Sequence, residues 1–191
     1  MVDGWADQGP LIDVAAHVGT LFAVILYFRR ETLTLLRGGV DTLRLRPSSD
    51  RSLFLMVCAA TAPILLIGGG IAVLGLMDNF RSPTVIGWAF ILFGILLWHG
   101  DRQPEAKKEL SQLRWRDALF IGAAQVMAIV PGSSRSGVTM TAARYLGWSR
   151  TEAARFSMLI AIPTIGASGL FAVLSLLSDG ATQTMLSLIH I

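Results

Sequence analysis

Residues 118–155 read ALFIGAAQVMAIVPGSSRSGVTMTAARYLGWSRTEAAR, and the path of this stretch through a membrane decides the fold. Residues 118–134 carry no charge but are broken at Pro131-Gly132. As a helix, 118–130 reaches only about 20 Å, short of the roughly 30 Å hydrocarbon core. Basic residues stand on both sides: Arg102, Lys107, Lys108, Arg114 and Arg116 before it, Arg144, Arg150 and Arg155 after it. Basic loops stay on the cytoplasmic side. A full crossing would put the second group outside, so 118–147 must enter, turn and return. The expected element is a re-entrant helix–loop–helix with its turn at 131–137. Irregular backbone at membrane depth survives only where protein buries it or water lines it, which makes the turn a candidate site.

The surrounding sequence supplies the membrane. The chain has 191 residues, 53% hydrophobic and only 15% charged, with a net charge of +3 and a mean hydropathy of +0.59. Soluble domains carry about 25% charged residues, so this composition argues against a soluble enzyme, a disordered tail or a nucleic-acid-binding domain. Uncharged runs at 14–28, 52–77, 82–99 and 156–178 predict an all-α, polytopic protein of about four transmembrane helices plus the re-entrant element. The first run is short and needs its flanks to span. Arg29, Arg30, Arg37, Arg44, Arg46 and Arg51 lie between the first two runs, which puts that loop in the cytoplasm with the other basic clusters. Gly68-Gly69-Gly70 is expected to allow close helix packing. Cys58 has no partner for an intrachain disulfide. The opening MVDGWADQGP has neither the basic nor the apolar region of a signal peptide.

Sorting the lysines and arginines into these clusters leaves Arg81, beside Asp78 at the opposite end, and Arg135. An arginine at membrane depth costs at least about 2.5–3.5 kcal/mol on insertion scales, so it is a functional candidate by default. Around it lie Ser133, Ser134, Ser136 and Thr139, with Gly132 and Gly137 letting backbone approach a ligand. The stretch after Gly137 is expected to open a helix whose first N–H groups face the turn. A guanidinium, several hydroxyls and a helix N-terminus together suit a phosphate or diphosphate. The alternative is an arginine that reaches the interface and serines that only cap the helix.

The segment Ala124–Val130 together with PGSSRSGVT directly after it resembles the second signature of the undecaprenyl-diphosphate phosphatase, or bacitracin-resistance, family. Residues 149–157 and 161–164 resemble the family's sequence just beyond that signature, and 13–30 resembles its first full span. The resemblance implies hydrolysis of a polyprenyl diphosphate carrier to the monophosphate and phosphate, recycling the carrier for cell-wall synthesis, by a multi-pass protein of the bacterial plasma membrane. It implies a fold of two inverted repeats, each with a re-entrant hairpin. It gives Arg135, Ser134, Ser136 and Thr139 catalytic roles, with Gly132, Ser133 and Gly137 binding substrate. The lipid diphosphate and membrane lipids are the expected partners, with no nucleic acid; a homo-oligomer stays open.

The resemblance also implies a divalent cation, Mg or Ca, held by an acidic E-x-x-x-E motif ahead of a Pro-x-Ser-Ser-x-Gly-His segment. That first signature would precede residue 11 and is not in this sequence, nor are the family's closing spans beyond about residue 180. No metal ligands are therefore assigned. Residues 105–109 fit E-x-x-x-E formally but read as a solvated charge run; His17 and His99 read as packed or interfacial, and Glu152 as a carboxylate at a helix start. Residues 186–191, LSLIHI, resemble a transposon end read through as coding sequence. The expected organisation is one incomplete membrane domain over 1–185 and a non-native tail, inactive alone. A transporter or flippase for an anionic lipid or small anion is the competing reading, because broken helices at the midplane are also transporter devices.

Overall fold

The computed structural model describes residues 19–76, 80, 82–104 and 108–178, with side chains to 170. The start of the first expected span, His17, residues 105–107 and the 186–191 tail lie outside the described residues. Helix fills most of the rest: α1 (19–27), α2 (Arg29–Leu43), α3 (Ser49–Val73), α4 (Pro83–Asp101), α5 (Trp115–Gln125), α6 (Arg135–Tyr145) and α7 (Arg150–Ser178), with 3₁₀ turns at Leu110–Gln112 and Val126–Ile129. Among the described residues, three helices are long and apolar enough to cross a membrane: α3, α4 and α7 through Leu170.

Serine caps set where these helices begin, and for α3 and α7 that is not where charge stops. Ser48 accepts the Arg51 N–H at 3.0 Å, so α3 takes in Asp50 and Arg51 ahead of the expected start at 52. Ser82 accepts the Val85 N–H and Pro83 opens α4, as expected for a helix start. Ser149 accepts the Glu152 N–H, so α7 begins six residues before the uncharged run at 156. Phe90, Ile91, Leu92 and Ile95 of α4 are exposed, an apolar surface of the kind expected of a membrane span.

The core lies between α3, α5, α6 and α7. Val57 and Ala60 of α3 meet Ala118 and Ile121 of α5, Ala143 of α6, and Phe156, Leu159 and Ile160 of α7, all buried. Single glycines set the closest approaches. A Cβ at Gly122 of α5 would sit 2.5 Å from the Ala60 carbonyl oxygen, and one at Gly38 of α2 only 2.1 Å from that of Asp50. By contrast Gly69 and Gly70 have nothing within 4 Å and Gly68 makes only ordinary contact with Ile129. The triple glycine is thus not where the described helices approach most closely, and α3 runs through it unbroken.

Residues 115–145 form two short helices joined by a turn. α5 and α6 are short and pack on one another; α5 lies against α3, and α6 against α4 and α7. α5 begins at Trp115, where the Asp117 carboxylate accepts the Arg114 N–H, and the 3₁₀ turn lengthens the descending arm, which reaches further than the 20 Å expected. The tip lies against Ile86 near the start of α4, about 22 Å along that helix from Asp101. The returning arm ends beside Asp101: Arg144 donates to the carbonyls of Asp101, Gln103 and Trp148, and Arg150 pairs with the Asp101 carboxylate. Lys108 pairs with Asp117 at 2.6 Å, and Glu152 accepts the Leu110 N–H at 3.0 Å. Both arms therefore end in one polar layer.

Arg155 joins α2 to that layer through Glu31 and also meets Glu152 at 3.4 Å. Burial opposes the Glu31 charge, but its hydrogen bonds and the Arg155 guanidinium outweigh that and hold its carboxyl below the ordinary carboxylate range. A carboxylate acidified by folding adds stability above its unfolded titration, and that contribution is lost as pH falls through its folded one. Glu31→Gln should therefore lower Tm at neutral pH and flatten its acid-side decline. Parallel Tm-versus-pH curves for the two proteins would contradict this assignment.

Candidate functional site

The turn between the two arms is tight and held from within. Gly132 has φ +91°, and a Cβ there would meet the Ile86 carbonyl oxygen at 2.7 Å. Its glycine is thus required by backbone conformation and by the approach of α4. Ser133 is buried and donates to the Val130 carbonyl at 2.7 Å. Ser134 lies at φ +58°, a region uncommon for residues with a side chain, and its hydroxyl accepts the Gly137 N–H at 3.3 Å.

That cap moves the helix start. Instead of following Gly137, α6 opens at Arg135, so Arg135, Ser136 and Gly137 form its first turn rather than the loop. The N–H groups of Arg135 and Ser136 have no acceptor among the described residues, as the first positions of a helix require. A capping hydroxyl that accepts an N–H keeps its own proton to donate; that of Ser134 lies 3.5 Å from the Ser136 hydroxyl. The exposed Ser134, half-buried Ser136 and half-buried Arg135 thus surround a helix N-terminus.

Arg135 differs from its neighbours in what satisfies it. Arg150 and Arg155 are paired with carboxylates, and Arg144 caps carbonyls. For Arg135 the described residues supply one hydrogen bond, from Nη1 to the Ser157 carbonyl at 3.3 Å, and no carboxylate. The rest of its planar fork of donors is available to an anion. Thr139 is set differently from the serines: it is 1% exposed, and its hydroxyl lies within hydrogen-bonding distance of the Arg135 and Ser136 carbonyls and of the Ser157 hydroxyl. It stands behind the arginine.

Ser157 and Gln125 complete the surroundings, and neither is among the site residues expected from the sequence. Gln125, fully buried at the end of α5, donates to the Ala60 carbonyl at 3.2 Å and ties the descending arm to α3. A glutamine in an apolar run was the available signal. For Ser157 there was none, since its part depends on the packing of α7 against α6.

Comparison with known proteins places the sequence in a family. The sequence matches the bacitracin resistance protein BacA family over residues 1–190. The chain belongs to that family. It is 46% identical over 178 residues to the undecaprenyl-diphosphatase of Maricaulis maris (strain MCS10), covering 93% of this chain and 66% of the relative. It is 43% identical over 188 residues to that of Jannaschia sp. (strain CCS1), covering 95% and 68%. With the Ruegeria pomeroyi protein of the same description it shares 48% over 173 residues, covering 87% and 62%. The chain thus spans about two thirds of the length of these BacA-family relatives.

A divalent cation does not fit the described part of this BacA-family chain. No group of three or more His, Cys, Asp or Glu that could hold a metal exists among the described residues, and Glu31, Asp101, Asp117 and Glu152 are paired with basic side chains in the polar layer. Glu109 meets the Ser111 hydroxyl, and His99 the Tyr145 hydroxyl at 2.6 Å.

Proposed function

We propose that this chain carries the arginine side of the active site of a membrane lipid-diphosphate phosphatase, which hydrolyses undecaprenyl or another polyprenyl diphosphate to the monophosphate and inorganic phosphate. The observation that carries the reading is Arg135: a guanidinium with one carbonyl partner among the described residues, at a helix N-terminus between two serine hydroxyls. Family membership and the names of the relatives supply the substrate class.

On this reading α5 and α6 form a re-entrant hairpin of an inverted-repeat fold, with α3, α4 and α7 around it, in the bacterial plasma membrane. The polar layer faces the cytoplasm and the tip opens toward the opposite side. The terminal phosphate sits over the α6 N-terminus. Arg135 grips its oxygens and offsets the charge that spreads over them in the transition state. Ser134 and Ser136 donate to the same oxygens or orient the attacking group, and Thr139 supports the arginine from behind. Gly132, Ser133 and Gly137 shape the turn on which the phosphate rests. Water adds to the terminal phosphorus, the bond to the bridging oxygen breaks, and the lipid monophosphate leaves.

The test is release of inorganic phosphate from polyprenyl diphosphate in proteoliposomes that hold the complete protein. Phosphate release supports a hydrolase. Movement of the intact lipid or anion between leaflets without phosphate release would favour the transporter or flippase reading instead.

A further inference from the structure

We infer that Ser157 is a positioning residue for Arg135, acting through a buried pair of hydroxyls that ties α6 to α7. The inference rests on the anion-site reading above and assigns what holds the arginine in place.

The Thr139 and Ser157 hydroxyl oxygens lie 2.7 Å apart, and both residues are 1% exposed. Each hydroxyl has one proton to give. Ser157 has Thr139 as its hydroxyl partner, whereas Thr139 also lies 3.0 Å from the Arg135 carbonyl and 3.2 Å from that of Ser136. Both buried protons find acceptors only if Ser157 donates to Thr139 and Thr139 donates onward to the first turn of α6. The Ser157 carbonyl meanwhile accepts from Arg135 Nη1. One residue of α7 therefore holds Arg135 at both ends, its backbone through Thr139 and its guanidinium directly.

The position of Ser157 is itself fixed. Its neighbour Phe156 is fully buried against Trp148, ring centroids 5.6 Å apart, and the Trp148 carbonyl is held by Arg144. A residue placed this rigidly, its hydroxyl tied to the first turn of α6 through Thr139 and its carbonyl to the guanidinium, limits the directions in which the remaining guanidinium donors can lie. An arginine held ready in one orientation loses less freedom on binding than a loose one.

Binding of inorganic pyrophosphate to the complete protein in detergent, measured by calorimetry, tests this apart from turnover. Ser157→Ala should weaken binding about tenfold. In an Arg135→Lys background, where there is no guanidinium to orient, the same change should cost less than about twofold. Thr139→Val should match Ser157→Ala, and Thr139→Ser should restore binding to within about twofold. Near-ultraviolet circular dichroism of buried Trp148 reports folding. If Ser157→Ala does not fold, Ser157→Cys, a weaker donor of similar reach, carries the same expectation. Equal losses with Arg135 intact and in the Arg135→Lys background, or no loss, would overturn the positioning role. Failure of the unaltered protein to bind pyrophosphate would overturn the anion-site reading and this inference with it.

Discussion

Arg135→Ala in the complete protein should lower kcat for phosphate release by about a hundred- to a thousandfold, the loss caused by removing one preorganised donor to developing charge. The expectation rests on geometry. Among the described residues Arg135 has a carbonyl and no carboxylate as partner, so its charge is not already answered within the fold, unlike those of Arg150 and Arg155. Arg135→Lys keeps the charge but not the planar fork, and should fall between the two. Rates in proteoliposomes, read beside thermal unfolding, separate lost chemistry from lost structure. A variant that unfolds normally and turns over at the original rate would remove Arg135 from the reaction.

Arg144→Ala should have the largest effect on stability, about 3 kcal/mol or more. Arg144 is 3% exposed and donates to the carbonyls of Asp101, Gln103 and Trp148. Hydrogen bonds from a charged donor contribute about 1.5–3 kcal/mol each, and a buried acceptor left unpaired costs about 1–3 kcal/mol. The Asp101 carbonyl keeps Arg150 as a second donor, whereas the Gln103 and Trp148 carbonyls lose the guanidinium that reaches them. The change should also loosen the returning arm, because Arg144 binds the end of α6 to the end of α4. Chemical denaturation in micelles would show it. A shift below about 1 kcal/mol, the size of one ordinary hydrogen bond, would mean that the other contacts of the layer suffice.

The turn between two short helices was legible because 118–130 is short and is broken at Pro131-Gly132, with Arg144, Arg150 and Arg155 after it. The structure binds those same residues to Asp101, Glu31 and the loop before α5. Helix starts were less legible. Uncharged runs mark what lipid tolerates, whereas Ser48 and Ser149 mark where backbone N–H groups need an acceptor, and these differ by three and six residues; only at Ser82 do the two nearly coincide. The same confusion put Arg135 in the loop, although Ser134 caps a helix that opens with it. Gly122 and Gly38 were invisible as contact points because their role depends on which helix lies opposite. Ser157 was invisible for the same reason. A motif names the residues that face a ligand more readily than those that hold them.

The central claim is that a hairpin leaves the polar layer, carries Arg135 into the membrane and returns to the same side. Single cysteines at Gln112, Thr151 and Thr84, in a Cys58→Ser background, report this directly through a membrane-impermeant maleimide. Gln112 and Thr151 are exposed and flank the hairpin, and Thr84 is exposed at the start of α4. Gln112 and Thr151 should react from the cytoplasmic side alone, and Thr84 from the opposite side. Labelling of Gln112 and Thr151 from opposite sides would make 115–145 a crossing and contradict the account.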